Sequence, residues 1–495
     1  MKRGKRFLFN GLVLACSSVF LRGVGLVFNA YLTNQIGAEG IGLFGLVMSV
    51  YLFATTLANS GVSLAATRLV TEELSVGCDR GIRKSMRVCL LYTLFFGLLS
   101  GGVLFVFAEP LGRYFLDDAR AIRSLRALSV SMPFIALSSA MNGYFQAVRR
   151  VMKSALAQVF EIGIKILVTV LLLRVFLEKG IEFACFAVVL GGSIAELCSC
   201  FLLQILYRLD LRRYRKQKEC EGRYFLRTVK IAVPVAVSAY LRSGLVTLEH
   251  LLVPRGLKKF GASGSASLAQ YGVVHGMVMP LLLFPAAILS AFGGLLVPEL
   301  TEFQKLKRER DINRVVSRAI RLSLLFGIGA AGIFFAFAYE LGMAIYDSGD
   351  AGLFIRFLAP LVIVMYTDSV TDFMLKGLNQ QVYSMAYNIV DSAVSVALLY
   401  TVLPCCGING YIAVIFLTEI LNAFLSINRL ILVTGFRIRV LWDVFVPLIF
   451  SLAAAYGVKA VLYQGTVFSL VLSVLSAVFI YLFLSHIFRR KCPQE

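Results

Sequence analysis

The sequence predicts an all-α polytopic membrane protein with about 14 transmembrane helices, arranged as two pseudo-symmetric six-helix lobes followed by two C-terminal helices. Three observations lead to this fold class. Apolar residues occupy 59% of the 495 positions and charged residues only 16%, whereas soluble proteins carry roughly 25% charged residues. Apolar runs of about 20 residues, long enough to cross the hydrocarbon core, recur along the whole chain. The second half of the chain also repeats features of the first.

The apolar runs divide the chain into fourteen predicted spans. The first run is longer than the apolar core of a signal peptide and no small-residue cleavage site follows it, so we interpret it as a span. The predicted spans are 7–33, 41–66, 88–108, 125–148, 154–177, 181–206, 229–253, 268–297, 315–340, 352–375, 382–403, 408–433, 441–463 and 467–488.

The net charge of +21 is explained by where the basic residues lie. Lys and Arg concentrate in alternate loops, including "KLKRERDINRVVSRAIR", and the positive-inside rule then places both termini in the cytoplasm. These loops are predicted to lie near anionic lipid headgroups, and no nucleic-acid partner is expected. The ten cysteines form no paired CxxC pattern and the three histidines are scattered, so we predict neither a metal site nor a cofactor.

Weak sequence similarities between distant segments divide the chain into two halves. "FLRGVGL" around Arg22 has a counterpart in "YLRSGLV" around Arg242, and Ser154, Gln158 and Glu161 fall on similar residues 230 positions later. Each half has six spans and therefore starts on the same side of the membrane, as in transporters built from parallel repeats. The predicted domains are an N-terminal lobe at 1–206, a basic cytoplasmic linker at 207–228, a C-terminal lobe at 229–433, and two further helices with a cytoplasmic tail at 434–495.

Two arginines lie inside apolar spans at corresponding places in the two halves. An arginine at the bilayer centre costs roughly 2.5–3.5 kcal/mol on insertion scales, so it should face a cavity or a partner. Arg22 and Arg242 could together bind a phosphate, because guanidinium groups bind phosphate oxygens bidentately. The alternative is that each arginine pairs with a carboxylate. Glu249, seven residues after Arg242 on the same helical face, is the candidate partner there.

Other charged residues within the spans are candidates for the cavity or for ion coupling. Glu161 and Lys165 have the i, i+4 spacing of a helical ion pair, and the alternative is a role in the cavity or in proton coupling. In the C-terminal half, Asp368 and Asp372 share a face of one span and Asp391 follows in the next. This acidic group is a candidate ion-coupling site.

Two stretches resemble a known transporter family. They are "LANSGVSLAATRLVTEE" and "LVPRGLKKFG…LAQYGVVHGMVMPLLLFPAAILSAFGGLLVPELTE", which resemble the stage V sporulation protein B type of polysaccharide-biosynthesis transporters. These belong to the multidrug/oligosaccharidyl-lipid/polysaccharide exporter superfamily, and the resemblance covers essentially the whole chain. The family's pattern is matched by Tyr271, Gly272, Gly276, Met277, Pro280, Phe284, Pro285, Pro298, Thr301 and Glu302.

The resemblance implies a flippase that moves an undecaprenyl-pyrophosphate-linked saccharide or cell-wall precursor between leaflets by alternating access. In the related lipid II flippases an arginine of the first span contributes to a cationic cavity, and Arg22 with Gly25 matches that motif. Those relatives continue with Arg-Asp where this chain has Phe28 and Asn29. Asn29 is therefore a candidate cavity residue, and the departure argues against strict lipid II specificity.

Three alternatives remain open from the sequence. A cation-coupled multidrug antiporter of the same superfamily would use carboxylates as its main cavity charges. A membrane sugar polymerase or ligase would need a long external loop with catalytic residues, which the short outer loops do not offer, so no enzymatic activity is predicted. A non-transporting scaffold is the third alternative. The expected location is the bacterial cytoplasmic membrane, with membrane lipids and a lipid-linked saccharide as partners. Polysaccharide or cell-wall synthesis proteins are further candidate partners, and a role in sporulation stays open.

Overall fold

A computed structural model describes residues 2–212, 224–436 and 441–491, with side chains from residue 19 to residue 488 of these ranges. In this part of the chain every regular element is a helix. Eleven of its helices are long and apolar enough to cross a membrane, or up to twelve when α14 and α15 (Gly349–Leu358 and Leu361–Gly377), bent by 58°, count as one span. The chain is therefore a multi-pass, all-helical membrane protein.

Contacts divide the helices into two compact units. The first unit contains residues Gln35–Ala269, together with the N-terminal residues to Ser17. Its helices are α1 Lys2–Asn59 (in part), α2 Val62–Val76, α3 Asp79–Val106, α4 Ala108–Pro110, α5 Ala121–Ala147, α6 Val151–Phe176, α7 Ile181–Leu211, α8 Tyr224–Phe260 and most of α9 Gly264–Tyr271. A π-helical segment, Leu111–Phe115, follows α4.

The second unit contains Ser18–Asn34 of α1 and the chain from Gln270 onward. A π-helical segment, Gly272–Val278, begins it, and another, Leu441–Phe445, precedes α17. Its helices are α10 Met279–Leu283, α11 Ala286–Lys305, α12 Glu309–Ala336, α13 Ala338–Tyr346, α14, α15, α16 Gln381–Thr434, α17 Val446–Leu462 and α18 Val467–Lys491.

Two helices are much longer than one membrane crossing. A 54-residue helix such as α16 would be about 80 Å long, against about 30 Å of hydrocarbon. Each of the two contains a kink at a glycine with positive φ, Gly37 in α1 (φ 71°) and Gly407 in α16 (φ 57°). When the two arms of α1 and of α16 are counted as separate spans, the number of spans is close to the fourteen predicted. The span predicted at 41–66 is interrupted at Ser60 and Gly61, which both have positive φ.

Helix α8 packs on the first unit, although it follows the basic segment that divides the sequence halves. At its start Arg227 contacts Glu73 of α2 at 3.2 Å. At its end the ammonium of Lys258 lies 2.6 Å from the carboxylate of Asp117. The compact units therefore differ from the predicted lobes, which the linker at 207–228 separates in the sequence. Residues 213–223 of that linker lie outside the described part of the chain. The predicted lobe boundaries stay a prediction about the repeat along the chain.

The internal repeat is visible in the helix bounds. Helix α3 runs from Asp79 to Val106 and α12 from Glu309 to Ala336, so two 28-residue helices lie 230 positions apart. Helices α5 and α15 end with the same separation, and α6 and α16 begin with it. Left-handed residues recur at this spacing too: Gly77 and Lys307, Asp117 and Asp347, Arg149 and Asn379.

Equivalent side chains make equivalent bonds in the two halves. The hydroxyl of Ser154 donates to Oδ1 of Asn142 at 2.7 Å, and that of Ser384, 230 positions later, donates to Oδ1 of Asp372 at 2.6 Å. The pseudo-symmetry predicted from the sequence is thus present at the level of single hydrogen bonds.

Candidate functional site

Arg22 lies in the arm of α1 that belongs to the second unit, and its side chain is exposed. The adjacent Gly23 faces the ring of Phe284, 3.6 Å from where a Cβ atom would stand, so this arm packs closely on its neighbours while Arg22 points away. Among the side chains described, none forms an ion pair or a hydrogen bond with Arg22. Among the described side chains the alternative of a carboxylate partner is therefore not realised, and a ligand-binding role for Arg22 stays a prediction.

Asn29, two turns after Arg22, ties α1 to the π-helical segment of the second unit. Its amide Nδ2 donates to the carbonyl of Gly276 at 2.6 Å, and Tyr346 donates to the next carbonyl, that of Met277, at 2.8 Å. A π-helical turn shifts its bonds to i+5 spacing, so its carbonyls are available to side-chain donors. The amide of Asn29 thus has a structural bond here, and a cavity role for this residue stays a prediction.

Arg242 and Glu249 lie on α8, in the first unit. Ser243 and Thr247 of the same helix bond to the second arm of α1, where the hydroxyl of Thr247 donates to the carbonyl of Ser49 at 3.1 Å. On a helical wheel Arg242 and Glu249 lie about 130° around α8 from Ser243 and Thr247, on a different face. Arg22 and Arg242 belong to different units, so their joint action on one phosphate stays a prediction.

Glu161 and Lys165 lie on α6, and no salt bridge joins them although their spacing allows one. The Cε atom of Lys165 instead lies 3.9 Å from the place that a Cβ atom on Gly192 of α7 would take. The Lys165 side chain therefore extends toward α7, where Gly192 has no side chain and leaves room.

Near this pair the structure places Glu196, a candidate buried charge from its position within an apolar span, together with Tyr51, which was not predicted. The hydroxyl of Tyr51 donates to Oε1 of Glu196, and the second oxygen of this carboxylate is shielded from solvent without a hydrogen bond. Glu161 and Lys165 lie within electrostatic range of Glu196. The Tyr51–Glu196 bond joins residues 145 positions apart, and no local sequence signal could have indicated it.

In the second unit, Asp368 and Asp372 bond to different parts of α16. The buried Asp368 accepts a 3.0 Å bond from Asn422, and Asp372 accepts the bond from Ser384 at the start of α16. Asp391 lies further along the first arm of α16. Asn422 is a contact that the sequence analysis missed. Among the described residues no group of three His, Cys, Asp or Glu side chains could hold a metal ion.

Outside the spans, one arginine is neutralised by two neighbouring carboxylates. Arg120, just before α5, binds the carboxylate of Asp118 at 2.7 Å and that of Glu39 at 2.9 Å. The hydrogen bond with Asp118, helped by Glu39, raises the pKa of the Arg120 guanidinium above its ordinary value. This arginine is a fixed structural cation, in contrast to Arg22.

Comparisons with known proteins agree with this architecture. The profile of the family described as polysaccharide biosynthesis protein matches residues 7–304. The chain is 28% identical over 411 residues to stage V sporulation protein B of Bacillus subtilis, covering 82% of this chain and 79% of that protein. It is 20% identical over 451 residues to the lipid II flippase MurJ of the same organism, covering 84% and 81%.

Solved structures share the fold at low sequence identity. The inward closed conformation of the lipid II flippase MurJ matches with a TM-score of 0.72 at 14% identity, over 97% of this chain and 99% of that one. An inward-facing multidrug transporter of the MATE family, within the superfamily named above, matches with a TM-score of 0.67 at 14% identity, over 85% and 98%. Since the family profile spans more than half of the sequence, the chain belongs to the polysaccharide biosynthesis protein family.

Proposed function

We propose that this protein is a flippase that moves a lipid-linked oligosaccharide or cell-wall precursor, of the undecaprenyl-pyrophosphate type, across the bacterial cytoplasmic membrane. Both termini lie in the cytoplasm, and the internal repeat supplies the alternating access that such transport requires. The relatives named for stage V sporulation and for lipid II flipping support this substrate class.

The observation that carries the proposal is Arg22. A guanidinium inside an apolar helix is costly unless it meets a ligand or water, and no described side chain is bonded to it. A pyrophosphate headgroup cannot enter hydrocarbon without a substitute for its hydration. Arg22 supplies two parallel N–H donors to phosphate oxygens, and the polyprenyl chain stays outside the polar path. Arg242, Glu249, Glu161 and Lys165 are the further candidate residues for the polar path.

Substitution of Arg22 tests the proposal. The protein is reconstituted in liposomes with a fluorescent lipid-linked oligosaccharide, and the label that reaches the far leaflet is measured by quenching. We expect Arg22→Ala to slow flipping by about 30-fold or more, the loss of a charge-assisted bond of about 2 kcal/mol, and Arg22→Lys to retain part of the activity. The matched control is Arg314→Ala, which removes an exposed arginine paired with Asp311. Full activity of Arg22→Ala would remove the basis of the proposal.

A second candidate function is a cation-coupled multidrug antiporter. The observation that favours it is the buried Asp368, 8% exposed and bonded to Asn422, in the same unit as Asp372 and Asp391. If these carboxylates bind the coupling ion, they could equally well couple an ion gradient to flipping. Uptake of a cationic dye against a sodium or proton gradient, lost in Asp368→Asn, would favour the antiporter.

A further inference from the structure

An apolar groove of about 610 Å³ lies within the first unit between α3 and α8. Leu91, Tyr92, Phe95 and Phe96 line its α3 side. These positions follow the i, i+1, i+4, i+5 pattern of one helical face. The three aromatic rings are in contact, since the centroids of Tyr92 and Phe96 are 4.7 Å apart and those of Phe95 and Phe96 are 5.4 Å apart. Three adjacent aromatic rings, flanked by Val88 and Leu91, therefore form this wall of the groove.

The other wall is formed by successive turns of α8. Phe225, Val229 and Val233 line it at i, i+4 and i+8. The helices meet beside the groove, where Cys89 Sγ and Thr228 Oγ1 are 3.9 Å apart. This contact holds α3 and α8 together on one side. On the other side the two helices diverge, and the open space between them is the groove.

The repeat shows what covers the equivalent face in the second unit. There Arg321 and Leu325 of α12 stand 230 positions after Leu91 and Phe95. The π-helical segment before α17 and helix α18 contact them: Asp443 lies 3.6 Å from the guanidinium of Arg321, and Tyr481 donates to the carbonyl of Leu325 at 2.7 Å.

On α3 the same face has no such cover among the described residues. Leu91 and Phe95 are each 62% exposed, and Leu98 further along is 58% exposed. Where α12 has a charge that meets Asp443, α3 has a leucine. The face of α3 is thus suited to hydrocarbon and lacks the polar group that holds the helix pair in the other unit.

Positive charge marks one end of the groove. Lys84 and Arg87 lie in the second and third turns of α3, four residues before Val88 and Leu91 on the same face, and both are exposed. No described carboxylate lies within salt-bridge distance of either. A cationic end followed by an apolar channel is complementary to a lipid with an anionic headgroup and a long chain.

We propose that this groove holds the polyprenyl tail of the lipid-linked substrate while its pyrophosphate is bound at Lys84 and Arg87, in the state before the headgroup moves on to Arg22. A polyprenyl chain carries a planar double bond and a methyl branch in every unit, and such flat, branched segments pack on aromatic faces and fill irregular space. Helix α8 continues from the groove to Arg242, nine residues and about 14 Å beyond Val233. The inference rests on the proposed function and adds the position where the substrate's tail is held.

Photocrosslinking of the full chain in lipid nanodiscs tests the groove without requiring transport. The probe is undecaprenyl diphosphate with a diazirine in its tail, and labelled peptides are mapped by mass spectrometry. We expect labelling in α3 and α8 that unlabelled undecaprenyl diphosphate displaces and phosphatidylglycerol does not. Val229→Trp, which fills the groove, should lower labelling about tenfold, and Phe95→Ala should lower it without crowding. The matched control is Leu171→Trp, at an exposed apolar residue of α6 that does not line the groove, and it should leave labelling unchanged.

The outcomes separate the groove from the proposed function. Equal labelling by a diazirine-bearing phosphatidylglycerol, or no response to Val229→Trp and Phe95→Ala, would mean that the groove holds bulk lipid and overturn the inference. If the wild type flips the saccharide but its groove is not labelled, the inference fails and the flippase stands. If the groove is labelled specifically but no flipping occurs, the tail site stands and the flippase proposal fails.

Discussion

The turn between α5 and α6 and the turn between α15 and α16 have the same backbone hydrogen bonds, but the residues that dock on them carry opposite charges. In the first, the N–H groups of residues 148–150 bond to the carbonyls of residues 144–146. In the second, 230 positions later, residues 378–380 bond to residues 374–376 in the same order. The repeat therefore preserves the local fold of the turn.

Beyond the backbone, the first turn is held by a buried anion. The Asp210 side chain, near the end of α7, has no exposed surface. It accepts bonds from Arg150, from the ammonium of Lys153 at 2.8 Å and from the hydroxyl of Tyr144 at 3.0 Å. Two cations and a hydroxyl thus compensate one desolvated carboxylate.

The second turn is held by a cation with neutral partners. Residues 380 and 383, which correspond to Arg150 and Lys153, are Gln380 and Tyr383. Arg429, near the end of α16, donates to the amide oxygen of Gln380 at 2.7 Å and lies over the ring of Tyr383 at 3.6 Å. In both halves the end of a later helix, α7 or α16, docks on this turn. The charge that holds the docked helix differs, because it is an anion in the first half and a cation in the second. The two turns should therefore respond differently to loss of a partner.

The largest effect is expected from the first turn. The double substitution Arg150→Ala with Lys153→Ala leaves the Asp210 carboxylate buried with a single hydroxyl. Removing the partners of a buried charge typically costs about 3–5 kcal/mol, and we expect a loss of stability of this size in SDS unfolding titrations of the purified protein.

Adding Asp210→Asn to the double variant provides the control. The amide carries no charge, so the triple variant should recover about half of the lost stability or more. A triple variant as unstable as the double one would show that packing, and not the buried charge, determines the stability of this turn.

A smaller effect is expected from the second turn. Arg429→Ala removes a cation–π contact and a bond to a neutral amide, together worth about 1–2 kcal/mol. The same SDS unfolding titration measures this loss of stability. The stability of Arg429→Lys should lie between those of the wild type and Arg429→Ala, because lysine lacks the planar fork. If Arg429→Ala costs as much as the double substitution at the first turn, the difference between the two halves is not electrostatic.

The smallest effect on stability is expected at the position occupied by Asn142 in one half and Asp372 in the other. In Asp372→Asn the hydroxyl of Ser384 can still donate to the remaining oxygen, so stability should change by less than about 1 kcal/mol. If Asp372 takes part in ion coupling, the dependence of flipping on a proton or sodium gradient should disappear.

The swap in the other direction sharpens this test. Asn142→Asp makes the first half resemble the second, and we expect it to create no gradient dependence of its own. An Asp372→Asn variant with an unchanged response to the gradient would count against coupling at this residue.

Much of the fold was predictable because it follows from local properties of the chain. Length and hydropathy of each run predicted the spans, and the offset of 230 residues, seen at Ser154 and Ser384, predicted the repeat. The interruption of the second span at Gly61 was not predicted, because a break with flanking apolar residues leaves hydropathy unchanged. A tertiary contact occurs at this break: a Cβ atom at Gly61 would lie 2.6 Å from the carbonyl of Ala232, so α8 approaches more closely than a side chain there would allow.

The candidate site was predictable only in part. The cost of a guanidinium in hydrocarbon singles out Arg22 from the sequence, and the structure shows it exposed with no bonded partner among the described side chains. The i, i+4 spacing of Glu161 and Lys165 indicated an ion pair that the structure lacks, because Lys165 extends toward Gly192. Spacing on one helix states which contacts are possible, whereas the neighbouring helix selects among them.

The sequence by itself determined that the chain is a multi-pass helical membrane protein with an internal repeat, because hydrophobic length and periodicity are properties of adjacent residues. Only the tertiary structure decided that Tyr51 bonds to Glu196, that Asn422 bonds to Asp368, and that α8 packs with the first unit. These contacts join residues far apart in the chain, and they form where packing brings polar groups together in a surrounding with little water to bind them.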